Sequence, residues 1–174
     1  MEKKESTLAS RLVPLVLTAV IVIADRITKN WIIANVAQNT IYRVIGDDLV
    51  WICHVRNTGI AFSVGDSMGQ VFRFILFTVL PVAVMMYMIF IMVRKNGILS
   101  TVQRWFIAGI VGGGTGTLID RILYFNEGVV DFISVKFFGI LGLERWPAFN
   151  ISDACVVVFV ILLGVSLLVQ KERK

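Results

Sequence analysis

Histidine, cysteine and proline are scarce in this chain of 174 residues, which contains one, two and three of them respectively. Because His54 is the only histidine, a zinc site of the His-Glu-x-x-His type cannot form, and a serine–histidine pair would have a single candidate base. Two cysteines do not suggest a disulfide framework. No glycine-rich phosphate loop followed by lysine occurs. These absences exclude several common catalytic chemistries.

Charged residues are also few, at 17% of the chain, whereas 57% of the residues are hydrophobic. Soluble domains of this length carry more charge, so the composition predicts an integral membrane protein. The net charge of +5 would suit nucleic acid if the basic residues formed a patch with stacking aromatics, but they fall in small clusters between apolar runs. We therefore expect no nucleic-acid partner.

Four apolar runs set the predicted architecture, because a helix needs roughly 20 apolar residues to cross a bilayer. Asp25 and Arg26 follow the first run, where a cleavable signal sequence would have small residues, so we expect that run to remain as a span. The predicted fold is all-α membrane, with residues 1–174 as a single integral membrane domain and a small extracytoplasmic β-sheet or loop region. The spans are placed at about 12–33, 72–93, 105–124 and 153–170, and the outer segments at about 35–71 and 125–152.

The positive charges predict the orientation of these spans. Lysine and arginine are concentrated at the N-terminus, between the second and third spans, and in the C-terminal tail. Short cytoplasmic loops carry such an excess, so both termini are expected in the cytoplasm. Most acidic residues fall in the two opposite segments. Any chemistry is therefore expected at the outer face of the membrane.

Local patterns predict smaller features of the fold. The β-prone runs 49–55 and 129–135 predict a small sheet resting on the membrane surface. Glycines at 112–114 and 116 lie in the middle of the third span, where they predict close helix packing. Pro81 predicts a kink in the second span.

Four aspartates lie at or near the predicted outer ends of the spans: Asp25, Asp120, Asp131 and Asp153. Ionisable groups at membrane depth are costly, so each is either functional or held by a partner. Asp120 precedes Arg121, which favours an ion pair or hydrogen-bonded brace. Asp25 and Lys29 are four residues apart on a helix and favour an ion pair as well.

The other two aspartates suggest acid–base chemistry. Asp131 follows two valines, and Asp153 stands at the start of the fourth span, so both are expected in the same boundary layer. Two carboxylates close together in a poorly hydrated site share a proton, and they can act as base and acid on either side of a water molecule. The spacing alone leaves unrelated surface carboxylates as an equal alternative.

Five short motifs give the chain a resemblance to the bacterial lipoprotein signal peptidases, also called signal peptidase II. In chain order they are Asp25-Arg26-Ile27-Thr28-Lys29, Asn57-Thr58-Gly59-Ile60-Ala61-Phe62, Gly116-Thr117-Leu118-Ile119-Asp120-Arg121, Val129-Val130-Asp131-Phe132 and Phe149-Asn150-Ile151-Ser152-Asp153. Each motif is weak by itself. Their order and their positions relative to the spans make the resemblance specific, and it covers nearly the whole chain.

The resemblance implies a membrane-embedded aspartic endopeptidase in the bacterial cytoplasmic membrane. It implies cleavage of prolipoprotein signal peptides before a diacylglyceryl-modified cysteine, with no metal or other cofactor. Expected partners are lipid-modified prolipoproteins and membrane lipids, and we expect a monomer. Asp131 and Asp153 match the catalytic pair. The residues that match substrate-binding or supporting positions are Asp25, Lys29, Asn57, Gly59, Thr117, Asp120, Arg121 and Asn150.

Thr117 is the one departure from the family pattern, which usually has asparagine at this position. A hydroxyl lacks the separate donor and acceptor groups of an amide, so the role of Thr117 is open. A small proton- or ion-coupled carrier is the main alternative function, and it predicts charges near the midplane and broken helices. A non-enzymatic membrane subunit is a further alternative.

Overall fold

Four long apolar helices run through the structure, a computed structural model that describes residues 7–46, 48–59, 69–95, 99–125 and 127–172. Within those residues, four helices are long and apolar enough to cross a membrane: Leu8–Asn35, Val71–Val93, Thr101–Leu123 and Ile151–Gln170. The predicted number of spanning helices is therefore confirmed. The helical elements are α1 (Leu8–Leu12), α2 (Leu15–Asn35), α3 (Gln70–Phe74), α4 (Leu80–Val93), α5 (Thr101–Leu123) and α6 (Ile151–Glu172).

The second spanning helix is irregular just before Pro81. Residues Ile75–Val79, between α3 and α4, form a π-helical turn. Proline has no backbone N–H and its ring crowds the preceding turn, so a local change of helical hydrogen bonding there is expected. The kink predicted from Pro81 stays a prediction, and the irregularity that the structure describes before this proline is the π-helical turn.

One antiparallel sheet with the order β1-β2-β3-β4 is formed by both segments that join the long helices. Its strands are β1 (Ile41–Ile45), β2 (Val50–Asn57), β3 (Val129–Ile140) and β4 (Leu143–Arg145). The runs predicted as strands are confirmed. The description of the fold as all-α is wrong in this respect, because β2 and β3 from distant parts of the chain pair along most of β2 and build a sheet of four strands.

The α5 helix is the centre of the helical bundle. Over its most apolar stretch, 56% of the residues are buried, against 6–22% in the other three spanning helices. Gly112 lies against Thr18 and Ile21 of α2, and Gly113 lies against α6. Glycine lets helix backbones approach closely. The predicted packing role of the glycine run is confirmed, and this packing holds α2, α5 and α6 close together beneath the sheet.

Candidate active site

Asp131 lies on β3, where alternate side chains face opposite sides of the sheet. Its neighbours Val130 and Phe132 pack into an apolar cluster with Ile32 and Val36 at the end of α2. Asp131 points the other way and remains only 3% exposed. Its register partner on β2 is Val55, and Asn57 lies farther along the same strand. The alternation of β3 therefore places a carboxylate in a buried position on the side opposite the apolar cluster.

Asp153 is held in the first turn of α6 by a reciprocal cap. Its backbone N–H donates to Asn150 Oδ1 at 3.0 Å, and the Asn150 N–H donates to Asp153 Oδ2 at 3.1 Å. This is the geometry of a capping box, in which the residue before the helix and the third helical residue satisfy each other. The cap fixes where the Asp153 carboxylate stands relative to the start of α6.

Two asparagines hold the Asp131 carboxylate, one from each side. Asn150 Nδ2 donates to Asp131 Oδ1 at 2.7 Å, and Asn57 Nδ2 donates to Asp131 Oδ2 at 3.0 Å. Asn150 is fully buried. Since its carbonyl oxygen accepts from Asp153 and its amide donates to Asp131, this one side chain links the two aspartates.

Both aspartates line one cavity of about 390 Å³. The cavity lies between the sheet and the helices α4, α5 and α6. Most of its wall is apolar. The lining includes Asn57, Gly59, Pro81, Thr117, Leu118, Arg121, Val129, Asp131, Phe149, Asp153 and Val156.

The environment raises the pKa of Asp131 to about 7 from its usual 3.8. Burial is the main cause, because a charged carboxylate is poorly solvated there, and the nearby Asp153 carboxylate adds to the shift. The amides of Asn57 and Asn150 and the charge of Lys29 oppose it. The pair therefore holds a proton near neutral pH, as a carboxylate pair in acid–base chemistry requires.

Arg121 takes a different partner from the one expected. Its Nη2 donates to the Gly59 carbonyl oxygen at 2.6 Å, and its guanidinium lies 5.0 Å from the centre of the Phe77 ring. The Gly59 N–H in turn donates to Asn57 Oδ1 at 3.1 Å. The predicted Asp120–Arg121 pair is wrong, since the two side chains leave α5 in different directions. Arg121 instead supports the loop that follows Asn57.

Asp120 belongs to a buried group of four charges that we call the quartet: Asp25, Arg26, Lys29 and Asp120. Lys29 Nζ lies 2.9 Å from Asp25 Oδ2 and 2.8 Å from Asp120 Oδ2. Arg26 contacts both carboxylates as well. Asp25, Lys29 and Asp120 are fully buried. The predicted Asp25–Lys29 pair is confirmed, whereas the participation of Arg26 was missed because the side of α2 on which α5 packs could not be derived from spacing.

Thr117 lines the cavity with the two aspartates. Within the part of the chain that the structure describes, its hydroxyl has no hydrogen-bond partner. It therefore does not orient either carboxylate directly. Among the described residues, no group of three His, Cys, Asp or Glu side chains has the arrangement needed to hold a metal ion. Residues Ile60 to Phe62 of the second motif lie outside the described residues.

Four apolar helices, with two linked aspartates in a cavity at one end of the bundle, define a multi-pass membrane enzyme. Solved structures agree. Two bacterial membrane enzymes determined by the in meso method share this fold. One has a TM-score of 0.75 at 25% identity and covers 93% of this chain and 91% of the solved one, and the other has a TM-score of 0.73 at 26% identity.

The family model for signal peptidase (SPase) II matches residues 17–169. A lipoprotein signal peptidase of Treponema denticola is 47% identical over 163 residues, which are 92% of each chain. Its counterpart in Treponema pallidum is 45% identical over 162 residues, which are 92% of this chain and 86% of the relative. The chain belongs to the signal peptidase II family, and it is a membrane protease that cleaves signal peptides.

Proposed function

We propose that the protein removes signal peptides from prolipoproteins with Asp131 and Asp153 as its catalytic residues, cleaving before a lipid-modified cysteine. The observation that carries this proposal is the link through Asn150, which joins two carboxylates at the wall of one cavity. The relatives bear the name lipoprotein signal peptidase, which supports a prolipoprotein as the substrate. Asp25, Lys29, Asn57, Gly59, Thr117, Asp120, Arg121 and Asn150 are proposed as supporting or substrate-binding residues.

The reaction follows from one proton shared by two carboxylates. The ionised member takes a proton from a water molecule as the water oxygen attacks the scissile carbonyl carbon. The protonated member donates its proton to the carbonyl oxygen, which gives a tetrahedral intermediate. When the intermediate collapses, the carbon–nitrogen bond breaks and the carboxyl that took the water proton gives it to the leaving nitrogen. A hydroxyl of the intermediate returns its proton to the other carboxylate as the new carboxyl group forms, so the pair again holds one proton. The chain needs no covalent adduct for this sequence.

The walls of the cavity suit an apolar peptide that comes from within the membrane. Leu118, Val156 and Pro81 line it on the side of the helices, and the carboxylates lie near the helix ends. Buried acyl chains contribute about 0.8 kcal/mol per methylene to membrane anchoring. A diacylglyceryl group would therefore hold the cysteine of the substrate at the depth of Asp131 and Asp153, which we call the dyad. We propose that this site faces the outside of the bacterial cytoplasmic membrane and that the enzyme acts as a monomer.

The proposal is tested with Asp131→Asn and Asp153→Asn in purified protein, using a lipidated precursor as substrate. Each change keeps the shape but removes a group that exchanges protons, so turnover should fall by at least about 10²–10⁴-fold. Asp48→Asn is the matched control, because Asp48 pairs with Lys136 and Arg145 on the sheet and is away from the cavity. Near-normal turnover by either dyad variant refutes the proposed dyad.

The substrate is tested separately by comparing the lipidated precursor with the same precursor before lipid attachment. We expect cleavage of the lipidated form only. Equal cleavage of both forms would contradict the proposed recognition of the lipid while leaving the dyad in place.

A further inference from the structure

The quartet has a second set of contacts that its internal ion pairs do not explain. Asp120 Oδ2 accepts a hydrogen bond from the Val130 backbone N–H at 3.2 Å. Asp25 Oδ1 accepts one from the Ser152 backbone N–H at 3.3 Å. Val130 immediately precedes Asp131, and Ser152 immediately precedes Asp153. Each acid of the quartet thus holds the backbone next to one member of the proposed dyad.

Lys29 joins the two halves of this arrangement. Its ammonium lies within 3 Å of the carboxylates of both Asp25 and Asp120, at 2.9 and 2.8 Å. A continuous polar path therefore runs from the backbone beside Asp131 through Asp120, Lys29 and Asp25 to the backbone beside Asp153. Buried paired charges of this kind have few alternative arrangements, because any displaced member is left without solvent.

The space around the path is also filled. Ser152 is fully buried, and a β-carbon added at Gly116 of α5 would collide with its side chain and with Asp25 Oδ2. The path cannot shift sideways into a void.

We infer that Lys29 is a positioning residue for the proposed dyad: through Asp25 and Asp120 it sets the distance between the strand that carries Asp131 and the helix end that carries Asp153. This inference rests on the proposed function. Lys29 reaches neither carboxylate of the dyad by a hydrogen bond within the described residues, so it acts through its partners and not on the substrate.

The quartet also contributes charge to the dyad. Two cations and two anions give it a net charge of 2 − 2 = 0. Among the described residues, the titratable and charged groups that interact electrostatically with Asp131 are Asp153 from α6, Lys29 from α2, Arg121 from α5 and the Cys53 thiol from β2. Asp25 acts in addition on Asp153. Removal of one quartet charge should therefore displace the titration of the dyad in a direction set by the sign of the charge removed.

The test compares Lys29→Met and Asp25→Asn with wild type by kcat, KM and the pH profile of cleavage. Both changes break the path, and a displacement on the ångström scale at a reacting centre costs about 100-fold in rate, so kcat should fall by about that factor with KM little changed. Lys29→Met leaves the quartet with a net charge of −1. The alkaline limb of the pH profile, where cleavage declines as pH rises, should therefore move to higher pH. Asp25→Asn leaves the quartet at +1 and should move the limb to lower pH.

A double variant separates position from charge. Lys29→Met/Asp120→Asn restores a net charge of zero but leaves the path broken, so the alkaline limb should return towards its wild-type pH while kcat stays low. Lys136→Met is the control, since Lys136 pairs with Asp48 on the sheet and lies outside the quartet. Should Lys29→Met fail to fold, Asp25→Asn carries the same test because it keeps the side-chain volume.

A purely structural role gives a different result. In that case the variants would yield less folded protein, but each folded molecule would keep the wild-type kcat and pH profile, and the inference would be overturned. Failure of the proposed function is distinguishable, because it would appear as retained cleavage in Asp131→Asn and Asp153→Asn whatever the quartet variants do.

Discussion

The behaviour of single carboxylates here depends on whether water or protein surrounds them. Asp48 on the sheet, next to Lys136, has its pKa lowered below the usual range by the hydrogen bond from that lysine. Asp131, only 3% exposed, has its pKa raised to about 7, mainly by burial. Their difference arises from the cavity that the sheet forms with the helices.

A pH dependence of both activity and stability follows from the raised pKa of Asp131. Cleavage should decline as pH rises through about 7, because the pair then loses its single proton. For stability, a folded pKa above the unfolded 3.8 means that the folded protein binds the proton more tightly. This contribution is fully present below about pH 3.8 and is lost as pH rises through about 7.

The measurement is a pair of pH series, one of kcat/KM and one of thermal unfolding in detergent. Asp131→Asn should lose this part of the pH dependence of stability, so its melting temperature relative to wild type should increase between pH 5 and pH 8. A difference in melting temperature that stays constant over this range would contradict the assigned titration.

Thr117 presents a different case, because its hydroxyl has no hydrogen bond to a described residue although it lines the cavity. Within the described part of the chain, only substrate or water remains as a hydrogen-bond partner for this hydroxyl. Thr117→Val should therefore leave the melting temperature unchanged and lower kcat/KM by up to about tenfold, the equivalent of one hydrogen bond. Thr117→Asn should be tolerated. An unaltered kcat/KM in Thr117→Val would reassign the residue to helix packing.

At the scale of elements, α5 determines how closely the helices approach at the site. The Gly116 backbone lies so near α2 and α6 that a β-carbon would overlap the Ser152 hydroxyl and lie 2.7 Å from Asp25 Oδ2. Its φ is not in the left-handed region, so the requirement for glycine is one of space. Part of the glycine run in α5 is therefore needed to leave space for the quartet.

Gly116→Ala should destabilise the fold by about 1–3 kcal/mol, the usual cost of forcing extra volume into a packed interior. Gly164→Ala on α6 is the matched control, since no atom of the described residues lies within 4 Å of the position that its β-carbon would take. It should change stability by less than about 0.5 kcal/mol. Thermal unfolding of the two variants in the same detergent checks this, and equal melting temperatures would show that α5 can move away from α6 without cost.

The capping box of α6 is a feature that the local sequence pattern allows one to predict, although the sequence analysis did not predict it. Asn150 and Asp153 are three residues apart at the start of an apolar run, which is the spacing of a helix cap. The sequence analysis assigned Asp153 from its place at the start of the fourth span and Asn150 through the family motif, and it did not predict the cap. Capping explains their mutual hydrogen bonds, but it does not explain why the Asn150 amide reaches Asp131, which depends on where β3 lies.

At the scale of the whole molecule, the polar groups of the site gather at one end of the helical bundle. Asp120 is near the end of α5, Asp131 is on β3 and Asp153 is in the first turn of α6, whereas the quartet residues of α2 lie between the middle of that helix and its end. A carrier was predicted to place its charges near the midplane, and the observed arrangement is unlike that. The opposite end has a polar contact of its own, in which Gln103 of α5 donates to Gln170 of α6 at 2.8 Å.

Orientation in the membrane remains a prediction from the distribution of lysine and arginine. In a background with Cys53 and Cys155 replaced, Leu141→Cys in the β3–β4 turn should react with a membrane-impermeant thiol reagent added to intact cells, since Leu141 is 85% exposed. Gly97→Cys, in the segment between α4 and α5 outside the described residues, should not react. Labelling at residue 97 and protection at residue 141 would reverse the proposed topology.

The sequence by itself determined the membrane class, the four spanning helices, the strand-forming segments and the family. These depend on apolar run length, on alternation and on short motifs, which are all local properties of the chain. It also indicated Asp131 and Asp153 as the proposed dyad and Asp25–Lys29 as an ion pair. Spacing along one helix is sufficient for that pair, because residues four apart share a face.

Only the tertiary structure decided which distant charges meet. Asp120 is adjacent to Arg121 in sequence, yet it pairs with Lys29 and Arg26, about 90 residues earlier in the chain. Neighbouring residues on a helix point about 100° apart, so the packing of α5 on α2 sends Asp120 into the bundle and leaves Arg121 beside the loop after Asn57. The pairing of two separate segments in one sheet likewise cannot be derived from local sequence. It depends on where the packed helices place the strands.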